Sequence, residues 1–266
     1  MKNDSRPIGL FDSGLGGLTV LKSLADAFPG ESFLYVGDVA RLPYGNKSPE
    51  TVRKYGEQIL RFLKERDVKM LIIACNTAST VFLNDTEFEG LPLFNVIEPG
   101  AHAAIAASKN ARIGVIGTST TVQGHAYERT IKKLASSAQV WEEACPLFVP
   151  LAEEGMADDE VTKLMAKRYL APLIQAQVDT LVLGCTHYPL LRPDIAGVMG
   201  KDVRLIESGQ VLVEILRAHF ANQSNAAASG NGTLKICTTD VTTHFARLAK
   251  GLMGAREFGE LERVVL

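Results

Sequence analysis

Cys75 and Cys185 each end an apolar run in near-copies of one phrase, Val68-Lys-Met-Leu-Ile-Ile-Ala-Cys75-Asn-Thr77 and Val178-Asp-Thr-Leu-Val-Leu-Gly-Cys185-Thr186-His187. In both, the aliphatic residues give way at the thiol to Asn, Thr and His, the kind of strand end where open α/β sheets build their sites. A cysteine that only fills a core needs no such neighbours. Two matched thiols on opposite sides of one atom suit a reaction in which one group removes a proton and the other delivers one. Inversion of a carbon stereocentre is the leading reaction of that kind. A free thiol, with a pKa of about 8.5, holds only a few per cent thiolate at neutral pH, so each needs help. A helix start after each cysteine could supply it, and so could His187, two residues from Cys185. Asp12, Asp38 and Glu153 can orient the thiols or shuttle protons, although each could equally be a cap or a solvated turn acid. His102, His125, His219 and His244 stand in helical or turn contexts without evident partners and are left out of the site.

Small polar donors surround these groups in the sequence. Ser13, Asn76, Thr77, Thr118, Thr120, Thr121 and Thr186 all fall at strand ends, where any one of them could be only a helix cap. Gathered in one cleft they would bind a polar zwitterion. The glycine-rich turn Asp12-Ser13-Gly14-Leu15-Gly16-Gly17 lets backbone amides approach a ligand. It makes a poor dinucleotide fingerprint, because the third glycine position holds Thr19.

The elements that must hold these residues alternate in type. Strands read at about 7–11, 32–37, 69–74, 92–97, 112–117, 139–143, 178–184 and 202–206, with helical stretches between, the pattern of parallel sheets under covering helices. From Thr51 to Arg66, the residues Val52, Tyr55, Ile59, Phe62 and Leu63 share one helical face. An internal repeat pairs Ile8-Gly-Leu-Phe-Asp12 with Ile113-Gly-Val-Ile-Gly117, and Leu34-Tyr-Val36 before Asp38 with Leu147-Phe-Val149 before Glu153. It also pairs Cys75 with Cys185 and Val96-Ile-Glu98-Pro-Gly100 with Leu205-Ile-Glu207-Ser-Gly209, all separated by roughly 110 residues. The expectation is two similar α/β lobes with parallel-type sheets, related by a pseudo-twofold axis, with the active site between them. Residues 1–97 plus 207–266 would form the first lobe and 98–206 the second, crossing at Glu98 and Glu207. The small-residue stretch 221–232 reads as a surface loop. After it, a strand is expected over Thr233–Cys237, a helix over Val241–Leu252 and a strand over Leu261–Leu266. Cys237 and Cys145, the latter beside Pro146, read as packing residues.

Composition narrows the partners. A chain of 266 residues that is 46% hydrophobic and 22% charged can bury one large or two medium cores. A net charge of −2 gives no footprint for nucleic acid or an anionic membrane, which leaves a small neutral-to-anionic ligand. Neither a signal-peptide core over Met1–Pro7 nor a run near the roughly 20 apolar residues of a membrane span is present, so the cytoplasm is expected. The short stretch before Asp12 leaves little room for a regulatory extension there. Four cysteines without CxxC spacing suit free thiols in a reducing compartment.

Five phrases together resemble the glutamate racemases of the cofactor-independent aspartate/glutamate racemase superfamily, over nearly the whole chain. They are Gly9-Leu-Phe-Asp-Ser-Gly-Leu-Gly-Gly17, Tyr35-Val-Gly-Asp38 with Leu42-Pro-Tyr-Gly45, Ala74-Cys-Asn-Thr-Ala78, Val149-Pro-Leu-Ala-Glu153 and Gly184-Cys-Thr-His-Tyr-Pro189. The resemblance implies Cys75 and Cys185 as the acid/base pair, Cys75 acting on D-glutamate and Cys185 on L-glutamate. It implies Asp12 and His187 as their assistants, with Asp38 and Glu153 in support. Substrate would be bound by Asp12, Ser13, Tyr44, Gly45, Asn76, Thr77, Thr186 and His187, with Tyr44-Gly45 meeting the side-chain carboxylate. It further implies a homodimer, no metal, pyridoxal phosphate or nicotinamide, and a supply of D-glutamate for peptidoglycan. Aspartate racemase is the nearest rival. A Cys185–His187 hydrolase leaves Cys75 idle, a two-lobed amino-acid binding protein makes both thiols dispensable, and a zinc site lacks a fourth ligand.

Overall fold

The computed structural model describes residues 4–223, 231–254 and 256–266. The first lobe begins with β1 (Ile8–Asp12), α1 (Gly17–Ala27), β2 (Phe33–Gly37), α2 (Pro49–Glu65), β3 (Met70–Ile73), α3 (Asn76–Val81), β4 (Glu87–Phe88) and β5 (Leu91–Asn95). Helix α4 (Ile97–Ala107) crosses to the second lobe, made of β6 (Arg112–Gly117), α5 (Ser119–Gln123), α6 (Ala126–Leu134), β7 (Gln139–Ala144), α7 (Phe148–Glu153), α8 (Glu160–Gln175), β8 (Thr180–Gly184), α9 (Arg192–Met199) and β9 (Arg204–Glu207). Helix α10 (Ser208–Gln223) brings the chain back, and β10 (Leu234–Thr238), α11 (Thr243–Met253) and β11 (Glu262–Arg263) complete the first sheet.

The strand orders are β11-β10-β2-β1-β3-β5-β4 and β7-β6-β8-β9. Every pairing is parallel except the short β4–β5 hairpin, which the sequence reading did not anticipate. Continuous apolar runs such as Met70–Ile73 and Thr180–Gly184 are buried along their whole length, as parallel strands covered on both faces must be. Two buried clusters flank each sheet. Leu10, Leu21 and Leu216 belong to one face of the first and Phe11, Ile59 and Leu63 to the other. Leu170 and Leu183 lie on one face of the second, with Ile113 and Tyr127 on the opposite one. Helix α2 shows the local logic: the Ser48 side chain accepts from the Thr51 amide, Pro49 opens the first turn, and Val52, Ile59 and Leu63 go to the core.

The order β2-β1-β3-β5 matches β7-β6-β8-β9, so the repeat is real in the sheets, with one landmark corrected. Leu147-Phe-Val149 is not the counterpart of Leu34-Tyr-Val36, because it enters helix α7. The true counterpart of β2 is β7, which pairs beside β6 as β2 does beside β1. Ile97, read as the last residue of a strand, already belongs to α4, and only Glu262–Arg263 of the expected final strand is paired. Most of the 221–232 stretch, and residues 1–3 of the amino-terminal one, lie outside the described residues.

Candidate active site

The carboxyl ends of both sheets open on one cavity of about 380 Å³. The first lobe contributes Ser13 after β1, the Leu42–Asn46 loop after β2, and Cys75, Asn76 and Thr77 after β3; the second contributes Thr118 and Ser119 after β6, Pro146 to Glu153 after β7, and Cys185, Thr186 and His187 after β8. Each thiol therefore ends the third strand in its lobe's order of appearance, and the parallel sheets aim both at the same space.

Cys75 is 4% exposed and caps α3, its Sγ accepting from the Ala78 amide at 3.5 Å and lying 3.7 Å from Ser13 Oγ. Burial, reinforced by the negative charge of Asp12, pushes this thiol up to about 12. Asp12 does not line the cavity but lies beneath it, fully buried, accepting from the Gly14 amide at 2.9 Å and the Thr186 hydroxyl at 3.1 Å. Burial raises its pKa, against the opposing charge of His187 and the Gly14 and Gly17 amides. The turn needs glycine here, since a Cβ on Gly17 would sit 2.3 Å from the Asp12 Cβ.

Cys185 has a different neighbour. His187 Nδ1 stands 3.8 Å from its Sγ, and His187 Nε2 lies 3.0 Å from Glu153 Oε1. Burial alone would lower the imidazole pKa, but the sulfur and the Glu153 carboxylate outweigh it and raise it to about 10. The same contact holds Glu153 below its ordinary value despite its burial. This turn is seated by the other lobe. Thr19 on α1 donates to the Thr186 carbonyl at 3.0 Å, and a Cβ on Gly16 would come within 2.5 Å of His187 Nδ1.

The donor set is partly rearranged relative to the sequence reading. The hydroxyls of Thr77, Thr118 and Thr121 form a closed triangle with edges of 2.9, 3.1 and 3.0 Å across the two lobes. Thr121 is behind the lining, and Thr120 turns away to donate to the Lys47 carbonyl at 3.3 Å, because successive helical positions point to different sides. Asp38 is also behind the cavity. It accepts from Tyr44, from Arg41 Nε at 2.6 Å and from Thr239 at 3.0 Å, and so fixes the tyrosine that does line it. Gly45 packs on Thr118, where a Cβ would clash at 2.6 Å. Pro146, Val149 and Pro150 add an apolar wall that the sequence reading missed, although Val149-Pro150 stood in a quoted phrase. His125, left without a partner above, pairs with Glu142 at 2.6 Å and Glu128 at 3.3 Å. That group is the set of potential metal ligands found among the described residues; it lies away from the thiols, and Lys132 on Glu128 balances its second carboxylate.

The Asp/Glu/hydantoin racemase family matches residues 8–216. The glutamate racemase of Geobacter metallireducens is 45% identical over 266 residues, covering 98% of this chain and 97% of that protein. A glutamate racemase isoform from Bacillus anthracis superposes with a TM-score of 0.94 at 35% identity, over 99% of both chains. The Francisella tularensis glutamate racemase, solved in complex with D-glutamate, gives 0.90 at 34%, over 98% of each. Two α/β lobes presenting their strand ends to a shared cavity, with relatives of this kind, define an isomerase. The chain belongs to the Asp/Glu/hydantoin racemase family.

Proposed function

We propose that this enzyme interconverts L- and D-glutamate by deprotonation at one face of Cα and reprotonation at the other, with Cys75 and Cys185 as the two acid/base groups. The observation that carries this reading is that both thiols, at the ends of counterpart strands, line one cavity from opposite lobes. In each direction the sulfur that carries a proton is the donor and the opposing sulfur, as thiolate, is the acceptor. Cys185 takes the proton of L-glutamate and Cys75 that of D-glutamate, so a turnover leaves the proton states of the pair exchanged. Protonated His187 balances charge on the Cys185 sulfur, with Glu153 holding the ring. Hydroxyl and amide donors stabilise charge spreading into the α-carboxylate. Asn76, Thr77 and Thr186 would hold that carboxylate, Ser13 and the Thr118–Thr121 turn would support it, and Tyr44-Gly45 would meet the distal one.

Relatives named for glutamate support glutamate over aspartate. Neither metal nor organic cofactor enters these steps. The lobe division at 97/98 and 206/207, a homodimer, a cytoplasmic location and a supply of D-glutamate to peptidoglycan belong to the same proposal. No helix of the described residues is long and apolar enough to cross a membrane. The test is incubation of chelator-treated protein with L-glutamate in heavy water. D-glutamate carrying deuterium at Cα should accumulate. Activity that depends on added metal or pyridoxal phosphate, or aspartate turning over as fast as glutamate, would overturn the reading.

A further inference from the structure

Tyr127 does not line the cavity, yet its contacts reach the residues next to both thiols. It is 1% exposed on α6 in the second lobe. Its ring fills the space left by two glycines: a Cβ on Gly100 of the outgoing helix α4 would lie 3.0 Å from the ring, and one on Gly184, the residue before Cys185, 3.3 Å. Its hydroxyl crosses to the first lobe and donates to Asn76 Oδ1 at 2.7 Å, on the residue after Cys75. Burial raises the phenol's pKa, so this group stays a donor. Asn76, 2% exposed and on the cavity lining, then donates through Nδ2 to Ser208 Oγ at 3.2 Å, on the first residue of the returning helix α10. With its carbonyl turned to Tyr127 and one amide hydrogen turned to Ser208, the amide has one hydrogen left for a ligand. One phenol in the second lobe thus sets the orientation of an amide in the first, and does so where the chain leaves and re-enters that lobe.

We infer that Tyr127 and Ser208 are positioning residues that act through the Asn76 amide, presenting its free N–H to the substrate carboxylate. The inference rests on the proposed racemisation only for its kinetic readout. Tyr127→Phe keeps the ring between Gly100 and Gly184 and removes only the hydroxyl. It should lower kcat/KM about tenfold, the scale of one lost buried hydrogen bond, and Ser208→Ala should lower it by about half as much on a logarithmic scale. A loss of packing would be additive with other changes, whereas positioning through Asn76 is not. In an Asn76→Ala background, Tyr127→Phe should therefore change kcat/KM less than twofold. A second readout needs no substrate: in crystals of Tyr127→Phe the Asn76 amide should turn from its parental orientation. The inference fails if Tyr127→Phe equals the parent in kcat/KM, if its loss persists undiminished in the Asn76→Ala background, or if the amide stays in place. A parent protein inert on glutamate would sink the proposed function, and the amide orientation would still decide this one.

Discussion

The two thiols occupy equivalent places in the backbone and unequal places chemically. Cys75 rests on a helix start above a buried carboxylate, and burial beside that charge holds its proton. Cys185 rests beside an imidazole whose pKa the sulfur and Glu153 together raise to about 10, against its burial. The repeated sheets account for two groups opposed across one cavity, while the side chains added after β1 and β8 give each thiol a different charged neighbour. Geometric symmetry of a fold therefore does not imply equal surroundings at its two sites. For a reversible reaction this is no obstacle, because each half-reaction leaves the site ready for the other.

The largest effects should come from the thiols themselves. Cys75→Ser and Cys185→Ser should each lower racemisation in both directions by about a thousandfold or more, with substrate affinity kept, since full inversion needs both faces. A glutamate analogue with a leaving group on nitrogen, which needs only proton removal, should split the pair: Cys75→Ser should still process the L form and Cys185→Ser the D form. Equal handling of both forms by both variants would dissolve the assignment of one cysteine to each face.

Next in size is His187→Gln, expected to reduce turnover about a hundredfold and to slow elimination from the L form more than from the D form. Equal slowing would mean that the imidazole serves both faces. The same ring gives a pH signature. Because its folded pKa is raised from 6.5 to about 10, the stability it contributes is complete below about pH 6.5 and fades as pH rises through about 10. The melting temperature of the parent should exceed that of His187→Gln by a margin that shrinks across this window, and a margin independent of pH would remove the imidazolium pair from the account.

The smallest effects should separate the two supporting carboxylates. Glu153→Gln acts through His187 and should lower kcat about tenfold with KM little changed, whereas Asp38→Asn acts through Tyr44 and should raise KM about fivefold with kcat little changed. Identical kinetic profiles for the two would show that the lobes do not divide the labour in this way.

Much of this was legible because two kinds of signal agree. Apolar runs such as Leu71–Ala74 and Leu181–Gly184 mark buried parallel strands, and the polar residues that end them mark the cavity. The failures have physical causes. Strand β7, Gln139–Ala144, is only half buried and carries two glutamates, so it looks unlike its counterpart β2, and the apolar Leu147-Phe-Val149 was matched in its place. Thr118, Thr120 and Thr121 look alike in sequence, but the helix turns the middle one away. Asp38 and Asp12 have the right chemistry and lie one layer too deep, which only packing reveals. Tyr127, Ser208 and the His125–Glu142 pair join residues far apart in sequence, and no local pattern announces such contacts.

Helices α4 and α10 carry the chain out of the first lobe and back into it, and they pack against one another. A body tied to another by one tether can turn about three axes. Tied by two tethers lying side by side, it keeps chiefly one, the line through both, as a door does on paired hinges. Swinging about that line changes the gap between the sulfurs without twisting one past the other. A molecule held in the gap meets one sulfur from each wall, and a swing about that line would change both the distance to them and the angle at which they face its carbon.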